Sequence, residues 1–524
     1  MGFIANIRTV ARFEMRTLLR SWFFRIFSVL ILLILLGMNI GMLSEGGTIN
    51  LVIQSIASNI PYMNMAFLNI AQALLAIFLA SDFLRRDKKL DTTEVIYTRS
   101  MTNWEYVWGK TFGVVIVFAI LNILVFLMAL IINIVIAGVE VDYLAYLLYP
   151  LLVGFPTLLF TLGLAFLLMS LVRNQAITLV LLLGLTAVSL FFVKDKVNHI
   201  FDFMAYTMPL MWSDIIGSGN LQEILLHRGI YFFLGLGSIF ATILLLKRLP
   251  QSRPYSVLSF ALMLGFFGLG LGGGVSYWSR YNGDQKYRQE LKVLNDQLSG
   301  QSVIQIESVN LAVEHLGESI SVVASIVSSE RVEDLPETLV FSLNPGLKLA
   351  DCKINNTSID FQRDKHLIKI QKPVNLASPF TLEFSYDGEI DERICYLDIK
   401  DDYLKIKHGP SFIIASHKRF GIIQSDYVLL TPESVWYPIA GGTFGTNLSA
   451  RPKRQFSNYA MTVATTTGMV PVSQGKSSQH DNQWSFESTT PYHGISLAIG
   501  TFETKVLDLD TLQVELNYYK GHDS

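Results

Sequence analysis

One recurring zinc site for hydrolysis takes two histidines one helical turn apart with a glutamate between them, and a further ligand elsewhere. The nine histidines of this chain (His199, His227, His315, His366, His408, His417, His480, His493 and His522) include no pair four residues apart. No catalytic residue and no metal ligand is therefore expected in this sequence. A nucleotide site fails on spacing too. Gly109-Lys110-Thr111 ends like a phosphate-cradling loop, but that loop needs a glycine at the position held by Trp104. Cys352 and Cys395 could pair in an oxidising compartment if their Cβ atoms come within about 4 Å, or stay as two free buried thiols. With no histidines nearby they do not suggest a metal centre.

The elements that carry these residues fall into two halves. A hydrocarbon core of about 30 Å takes roughly 20 apolar residues in helix, because lipid cannot satisfy backbone N–H and C=O groups. Seven stretches qualify: Trp22–Leu43, Tyr62–Phe83, Thr111–Ile136, Tyr146–Leu171, Ala176–Val193, Ile230–Leu246 and Tyr255–Trp278. A kink is expected in the fourth at Pro150 and Pro156. A mean hydropathy of +0.40 fits this reading, while 16% charged residues is too many for a chain that is membrane throughout. The net charge of −2 gives no reason to expect nucleic acid. Polar groups within the spans look few, with Asn122 and Asn133 as candidates for interhelical hydrogen bonds. No buried carboxylate relay is evident, which disfavours proton-coupled transport. In the seventh span Gly265, Gly268, Gly270 and Gly272–Gly274 permit close helix approach.

Lys and Arg concentrate in alternate loops. Arg8, Arg12, Arg16, Arg20 and Arg25, then Arg85, Arg86, Lys88, Lys89, Arg99 and Lys110, then Arg173, then Lys247, Arg248 and Arg253 mark one side as cytoplasmic. The loops Ser44–Pro61 and Gly138–Leu144 hold none. The fifth loop, with Lys194, Lys196 and Arg228 beside several acids, is the ambiguous one. The N-terminus is thus expected inside, Asn103 with it, and the segment after Trp278, Asn356 included, outside. Residues 1–21 read as an interfacial helix in the headgroup plane or as a plain positive-inside anchor, with arginines four apart. In the fifth loop Ile200–Trp212 is too apolar to be free and suggests a re-entrant or surface-lying helical pair.

Between the second and third spans lie Asp91 and Glu94, then Arg99-Ser100-Met101-Thr102, then Trp104, Tyr106, Gly109 and Lys110. This run resembles the cytoplasmic coupling region of type-2 ABC exporter permeases, and the resemblance extends over about Met1–Leu246. It implies that Asp91, Glu94, Arg99, Gly109 and Lys110 couple to a separate ABC ATPase subunit. ATP would then be bound on that partner, and the permease would work as a homodimer or heterodimer in the bilayer of a bacterial inner membrane.

After Trp278 a charged stalk, residues 279–302, leads into alternation of period two: Ile320/Val322/Ala324/Ile326, Leu339/Phe341/Leu343, Phe380/Leu382/Phe384/Tyr386 and Leu512/Val514/Leu516/Tyr518. Turn signals at Asn344-Pro-Gly346, Asp387-Gly388 and Gln474-Gly475 separate them, which argues an antiparallel sandwich or saddle over 303–524. Leu343–Leu349, Tyr386–Ile390, Glu433-Ser-Val-Trp-Tyr-Pro438 and Tyr492–Gly500 with Phe502-Glu503 resemble the N-terminal β domain of aminopeptidase-N-like zinc peptidases. Permeases fused to such peptidases are a bacterial architecture. The resemblance implies that the zinc motif belongs to a catalytic domain following Ser524, and that the chain is truncated before it. Glu433 is then the one candidate for a peptide pocket.

The fold expected is a polytopic helical membrane domain, a six-span permease core over 22–246 plus a seventh helix over 255–278, followed by an extracytoplasmic all-β domain. The favoured function is a permease subunit driven by a separate ATPase and carrying a β domain without zinc. The alternatives are a truncated membrane-anchored metallo-aminopeptidase and a β module that binds a peptide or partner.

Overall fold

The computed structural model describes residues 2–43, 56–81, 101–137, 141–193, 196–210, 212–213, 215–246, 253–298, 303–397, 419–442, 455–481, 483–509 and 512–519. Asp91, Glu94 and Arg99 lie outside these. The chain divides into a helical unit ending at Tyr281 and a β unit beginning at Asn282.

The helical unit contains α1 (Phe3–Arg20), α2 (Trp22–Leu43), α3 (Asn59–Ser81), α4 (Asn103–Ile132), α5 (Tyr143–Tyr149), α6 (Phe155–Val172), α7 (Gln175–Val188), α8 (Leu221–Leu245) and α9 (Arg253–Asp296). Among the described residues, seven helical stretches are long and apolar enough to cross a membrane, α5 and α6 counting together. Local chemistry sets several boundaries. Thr102 and Glu105 form a capping box at the start of α4, Asp142 caps α5 and Asn174 caps α7. Arg173, at φ 56°, ends α6 in the left-handed conformation. The kink expected in the fourth span is a π-turn, Pro150–Gly154, joining α5 to α6.

The structure adds detail to four readings of the sequence. The sixth span begins at Leu221, so His227 and Arg228 lie within α8 rather than in a loop. The segment before it folds as successive turns over residues 196–201 and 203–204, not as a pair of helices. Asn103 is buried, donating to Ile243 O at 3.2 Å and Leu246 O at 2.9 Å. The seventh span and most of the stalk form one helix, α9, whose residues after Tyr281 belong to the β unit.

The described residues of the β unit form the strands β1 (Ser308–His315), β2 (Ile320–Ser328), β3 (Thr338–Ser342), β4 (Leu347–Ile354), β5 (Thr357–Ser358), β6 (Phe361–Asp364), β7 (Leu367–Gln371), β8 (Phe380–Gly388), β9 (Gly421–Ile423), β10 (Tyr427–Leu430), β11 (Ile439–Ala440), β12 (Asn458–Ala464), β13 (Val470–Ser473), β14 (Lys476–His480), β15 (Gln483–Glu487), β16 (Leu497–Gly500), β17 (Phe502–Leu509) and β18 (Leu512–Tyr519). An eight-stranded sheet runs β14-β15-β12-β1-β2-β8-β4-β5, beside four-stranded sheets β13-β16-β10-β9 and β11-β3-β7-β6 and the hairpin β17-β18. The sheets are antiparallel as expected except for β1 and β12, which pair in parallel from Ser308 with Asn458 to Glu314 with Ala464. Alternation works through burial: Ile320, Val322, Ala324 and Ile326 on β2 and Phe380, Leu382, Phe384 and Tyr386 on β8 all enter one core with Trp436. In β18 the alternating Val514 and Leu516 remain exposed.

Candidate functional site

Gly109 and Lys110 face α1. A Cβ on Gly109 would come 2.5 Å from Val10 Cβ, and one on Gly113 2.8 Å from Ala11 O, so these glycines let the two helices touch. The seam is polar at both ends. Lys110 Nζ sits 3.6 Å from Glu14 Oε2 with both side chains buried, and Asn6 Nδ2 donates to Glu105 Oε1 at 2.8 Å. Opposite charges removed from water together attract strongly, whereas either alone would be costly. The arginines of α1 fall on its outer side, where Arg8, Arg12, Arg16 and Arg20 are exposed.

The four β segments that carried the peptidase resemblance meet in space. Asn344 ties its own segment to Glu433–Pro438 and to Asp391 just past Tyr386–Ile390: its N–H donates to Val435 O at 2.8 Å, its Nδ2 to Ser434 O at 2.7 Å and Asp391 O at 3.2 Å, and its Oδ1 accepts from Gly346 N and Asp391 N, each at 2.9 Å. Trp436 Nε1 donates to Ile495 O at 3.2 Å, Ile495 N donates to Tyr437 Oη at 3.2 Å, and Tyr386 Oη donates to Trp436 O at 3.2 Å. Burial pushes the Tyr386 and Tyr437 phenols well above their ordinary range, so both stay neutral donors. Gly494 has no room for a Cβ, which would lie 2.8 Å from Pro432 Cγ. Glu433 stands in the first turn of the short 3-10 helix Pro432–Ser434 and is partly exposed beside this knot.

Cys352 and Cys395 are not joined. Both are free and buried, Cys352 in the main core on β4 and Cys395 in a separate small cluster with Leu291 and Ile394. Desolvation pushes the Cys352 thiol up to about 12 and raises Cys395 as well. Beside Cys395, Arg288 Nη1 donates to Arg393 O at 2.6 Å and Cys395 O at 2.7 Å, and its Nη2 to Tyr396 O at 2.9 Å. The late turns of α9 are thereby pinned to the end of the short helix Glu392–Ile394.

The helical unit holds a polar core that sequence reasoning missed. Arg228, 2% exposed, points its donors at the break between α5 and α6. Pro156 has no N–H, and Leu152 O one turn earlier accepts from Arg228 Nε at 3.2 Å instead. Nη2 donates to Val153 O at 3.0 Å and Thr157 Oγ1 at 2.6 Å, and Nη1 to Phe203 O at 2.9 Å. Asn69 Nδ2 donates to Thr157 Oγ1 at 3.0 Å, Gln72 Nε2 to Asn69 Oδ1 at 2.8 Å and Gly154 O at 3.1 Å, and Asn122 Nδ2 to Gln72 Oε1 at 2.9 Å. Asn39 and Asn64 exchange two bonds of 2.9 Å. Asn133, the other expected bonding group, donates to Tyr146 Oη at 3.3 Å. The lost signal was an Arg beside a helix start together with a Pro-interrupted span, whose freed carbonyls need a donor.

Among the described residues no three His, Cys, Asp or Glu side chains group as metal ligands. No family sequence profile matches the chain, and no curated protein does. Among solved structures it is similar to the M1 zinc metallopeptidase of Deinococcus radiodurans, at 11% identity over 41% of this chain and 47% of that one, with a TM-score of 0.30. Aminopeptidase A of Legionella pneumophila, solved with aspartic acid, matches at 14% identity over 42% and 25%, with a TM-score of 0.29. Yeast LTA4 hydrolase in complex with Bestatin matches at 12% over 38% and 29%, with a TM-score of 0.26. The chain spans about half or less of each of these proteins. Similarity at this level carries no argument about activity.

Proposed function

We propose that the chain is a membrane-embedded protein whose β unit is an aminopeptidase-N-like N-terminal domain, forming the anchored, peptide-facing half of a metallo-aminopeptidase. The observation that supports this reading is the convergence of Leu343–Leu349, Tyr386–Ile390, Glu433–Pro438 and Tyr492–Gly500 through Asn344, Trp436 and Tyr437. Glu433 at the edge of that knot is the group that would meet a peptide's amino end as a carboxylate against an ammonium.

Among the described residues none fits zinc. His366 is buried with neither ring nitrogen hydrogen-bonded, and His315 Nε2 faces Gly317 O at 2.7 Å and Gln424 O at 2.9 Å. The test measures binding of a fluorescent peptide with a free or an acetylated amino end to the full-length chain in detergent. The free end should bind about tenfold more tightly, a difference of roughly 1.4 kcal/mol, and Glu433→Gln should abolish that preference. Equal binding of both peptides overturns the reading.

A second reading, a permease subunit coupled to a separate ABC ATPase, is favoured by the α1–α4 seam, where Gly109 and Lys110 lock the helix that follows the coupling segment onto α1. Reversing Asp91 and Glu94 to arginine should weaken copurification of an ATPase. Unaltered association and ATPase stimulation count against it.

A further inference from the structure

We propose that the arginine face of α1 binds phospholipids of net negative charge, with Arg16 and Arg20 as its principal phosphate contacts. The inference rests on the membrane-embedded part of the reading above and not on the peptidase part. Arg8, Arg12, Arg16 and Arg20 recur every four residues along α1 and all are exposed. Among the described residues none of these four guanidinium groups has a hydrogen bond or an ion pair. Glu14, the one acid of the helix, faces the other way, buried with its Oε2 3.6 Å from Lys110 Nζ. The outward face therefore carries four positive charges and no negative one.

Three contacts show how α1 runs. Asn6 Nδ2 donates to Glu105 Oε1, Val10 stands against Gly109, and Glu14 stands against Gly113. Steps of four residues on α1 match steps of four on α4, so the two helices advance together and α1 rises beside α4. At 1.5 Å per residue Arg20 lies about 9 Å beyond Glu14 along the helix, which brings it level with the turn of α4 that follows Gly113. The ring of Phe24, just past the junction of α1 and α2, meets that of Phe118 at 6.2 Å and gives the same level. Phe112, Ile116 and Ile120 on this stretch of α4 are exposed and apolar, as a surface that faces lipid requires. Arg16 and Arg20 thus stand beside the first turns of a span.

The junction itself has the chemistry of a headgroup layer. Trp22 is 73% exposed, the Arg25 guanidinium lies 5.8 Å from its ring centre, and Arg25 Nε donates to Leu19 O at 2.8 Å. Tryptophan and arginine at the end of an apolar helix belong where hydrocarbon gives way to phosphate. An arginine there lays its stem along apolar surface and places its planar fork on phosphate oxygens, two bonds at a time. Each cation near the surface favours a lipid of net negative charge over a zwitterionic one by about fivefold. An acidic protein surface could meet Arg8 and Arg12, but a partner that stays in water cannot follow the row to Arg20 beside Trp22 and the apolar turns of α4. Lipid is the occupant that fits the whole row.

The test reconstitutes the full-length chain into vesicles of phosphatidylcholine and phosphatidylglycerol in equal amounts and checks by flotation that it is embedded. The chain is then extracted in a non-ionic detergent, and its retained lipids are counted by mass spectrometry of the intact complex. Phosphatidylglycerol should be retained at least about tenfold over phosphatidylcholine, and Arg16→Gln with Arg20→Gln should lower that ratio at least about fivefold. A ratio unchanged in the double variant overturns the proposal, and so does equal retention by the wild type, which would leave the face to an acidic protein. A chain that does not float overturns the membrane reading instead. Should the double variant fail to insert, the wild type decides. Washing in about 1 M salt should remove at least about half of the phosphatidylglycerol excess, and an excess indifferent to salt overturns the proposal.

Discussion

His366→Met is expected to stabilise the β unit at neutral pH and to abolish one step of its acid sensitivity. His366 is fully buried where β6 turns into β7, its carbonyl accepting from Leu343 N at 2.8 Å while neither ring nitrogen has a partner. Desolvation, only partly offset by Asp364, lowers the imidazole from its ordinary 6.5 to about 4. Between those values the unfolded chain holds a proton that the folded chain does not, so stability is complete above about pH 6.5 and falls as pH drops towards about 4. Titrations separated that far correspond to a loss of about 3 kcal/mol. Methionine is flexible, of similar volume and has no strong polar atom to leave unpaired, so the variant should gain about 1–3 kcal/mol at neutral pH and lose nothing through that window. Hydrogen exchange at the Leu343 and Leu367–Gln371 amides of the full-length chain, at about pH 7 and about pH 4.5, reads both effects. Parallel loss of protection in variant and wild type on acidification would refute the assignment.

Arg228→Met should cost about 2–4 kcal/mol by leaving Leu152 O and Phe203 O without donors, and Arg228→Lys should recover only part of it because one ammonium cannot span that fork; thermal unfolding in detergent measures both. Thr102→Ala removes half of the capping box and should cost about 1 kcal/mol in the same assay. Cys352 and Cys395 should resist alkylation at neutral pH in the folded chain and react at once on denaturation without reductant, whereas a thiol count of zero after denaturation would mean that they are bonded. For topology, single cysteines at the exposed positions Asn174 and Asn356 of a Cys-free variant should be labelled from outside sealed cells only at 356, and the reverse pattern would refute the orientation read from the basic loops.

The apolar helices and most of the strands were legible because each is written in a local period. The Trp22–Leu43 span coincides with α2, and the strands through Val322 and Phe384 sit where period two put them. What escaped the sequence depends on partners far along the chain. Arg228 reads as a loop cation until Pro156, 72 positions earlier, is seen to free a carbonyl for it; Leu152 and Arg228 are 76 residues apart. Asp202 reads as an ordinary loop acid because the apolar run Ile200–Trp212 announces packing but not that the carboxylate itself will be fully enclosed. The segments that suggested a peptidase-like domain did so by their order and spacing, and their meeting at Asn344 and Trp436 depends on long-range packing. The cysteines failed for a similar reason, since spacing alone does not say that each joins a different apolar cluster.

The parallel pairing of β1 with β12 sets a clock on biogenesis. β1 is flanked by β2 and β12, and its partner Asn458 leaves the ribosome about 150 residues after Ser308. At about 5–20 residues per second that is roughly 8–30 s during which β1 and β2 can pair while the far side of β1 presents an open row of backbone donors and acceptors. Closing so long a loop before its contacts reward it also makes this step slow. The β unit therefore emerges strand by strand and unfinished, with the far edge of β1 open until β12 arrives.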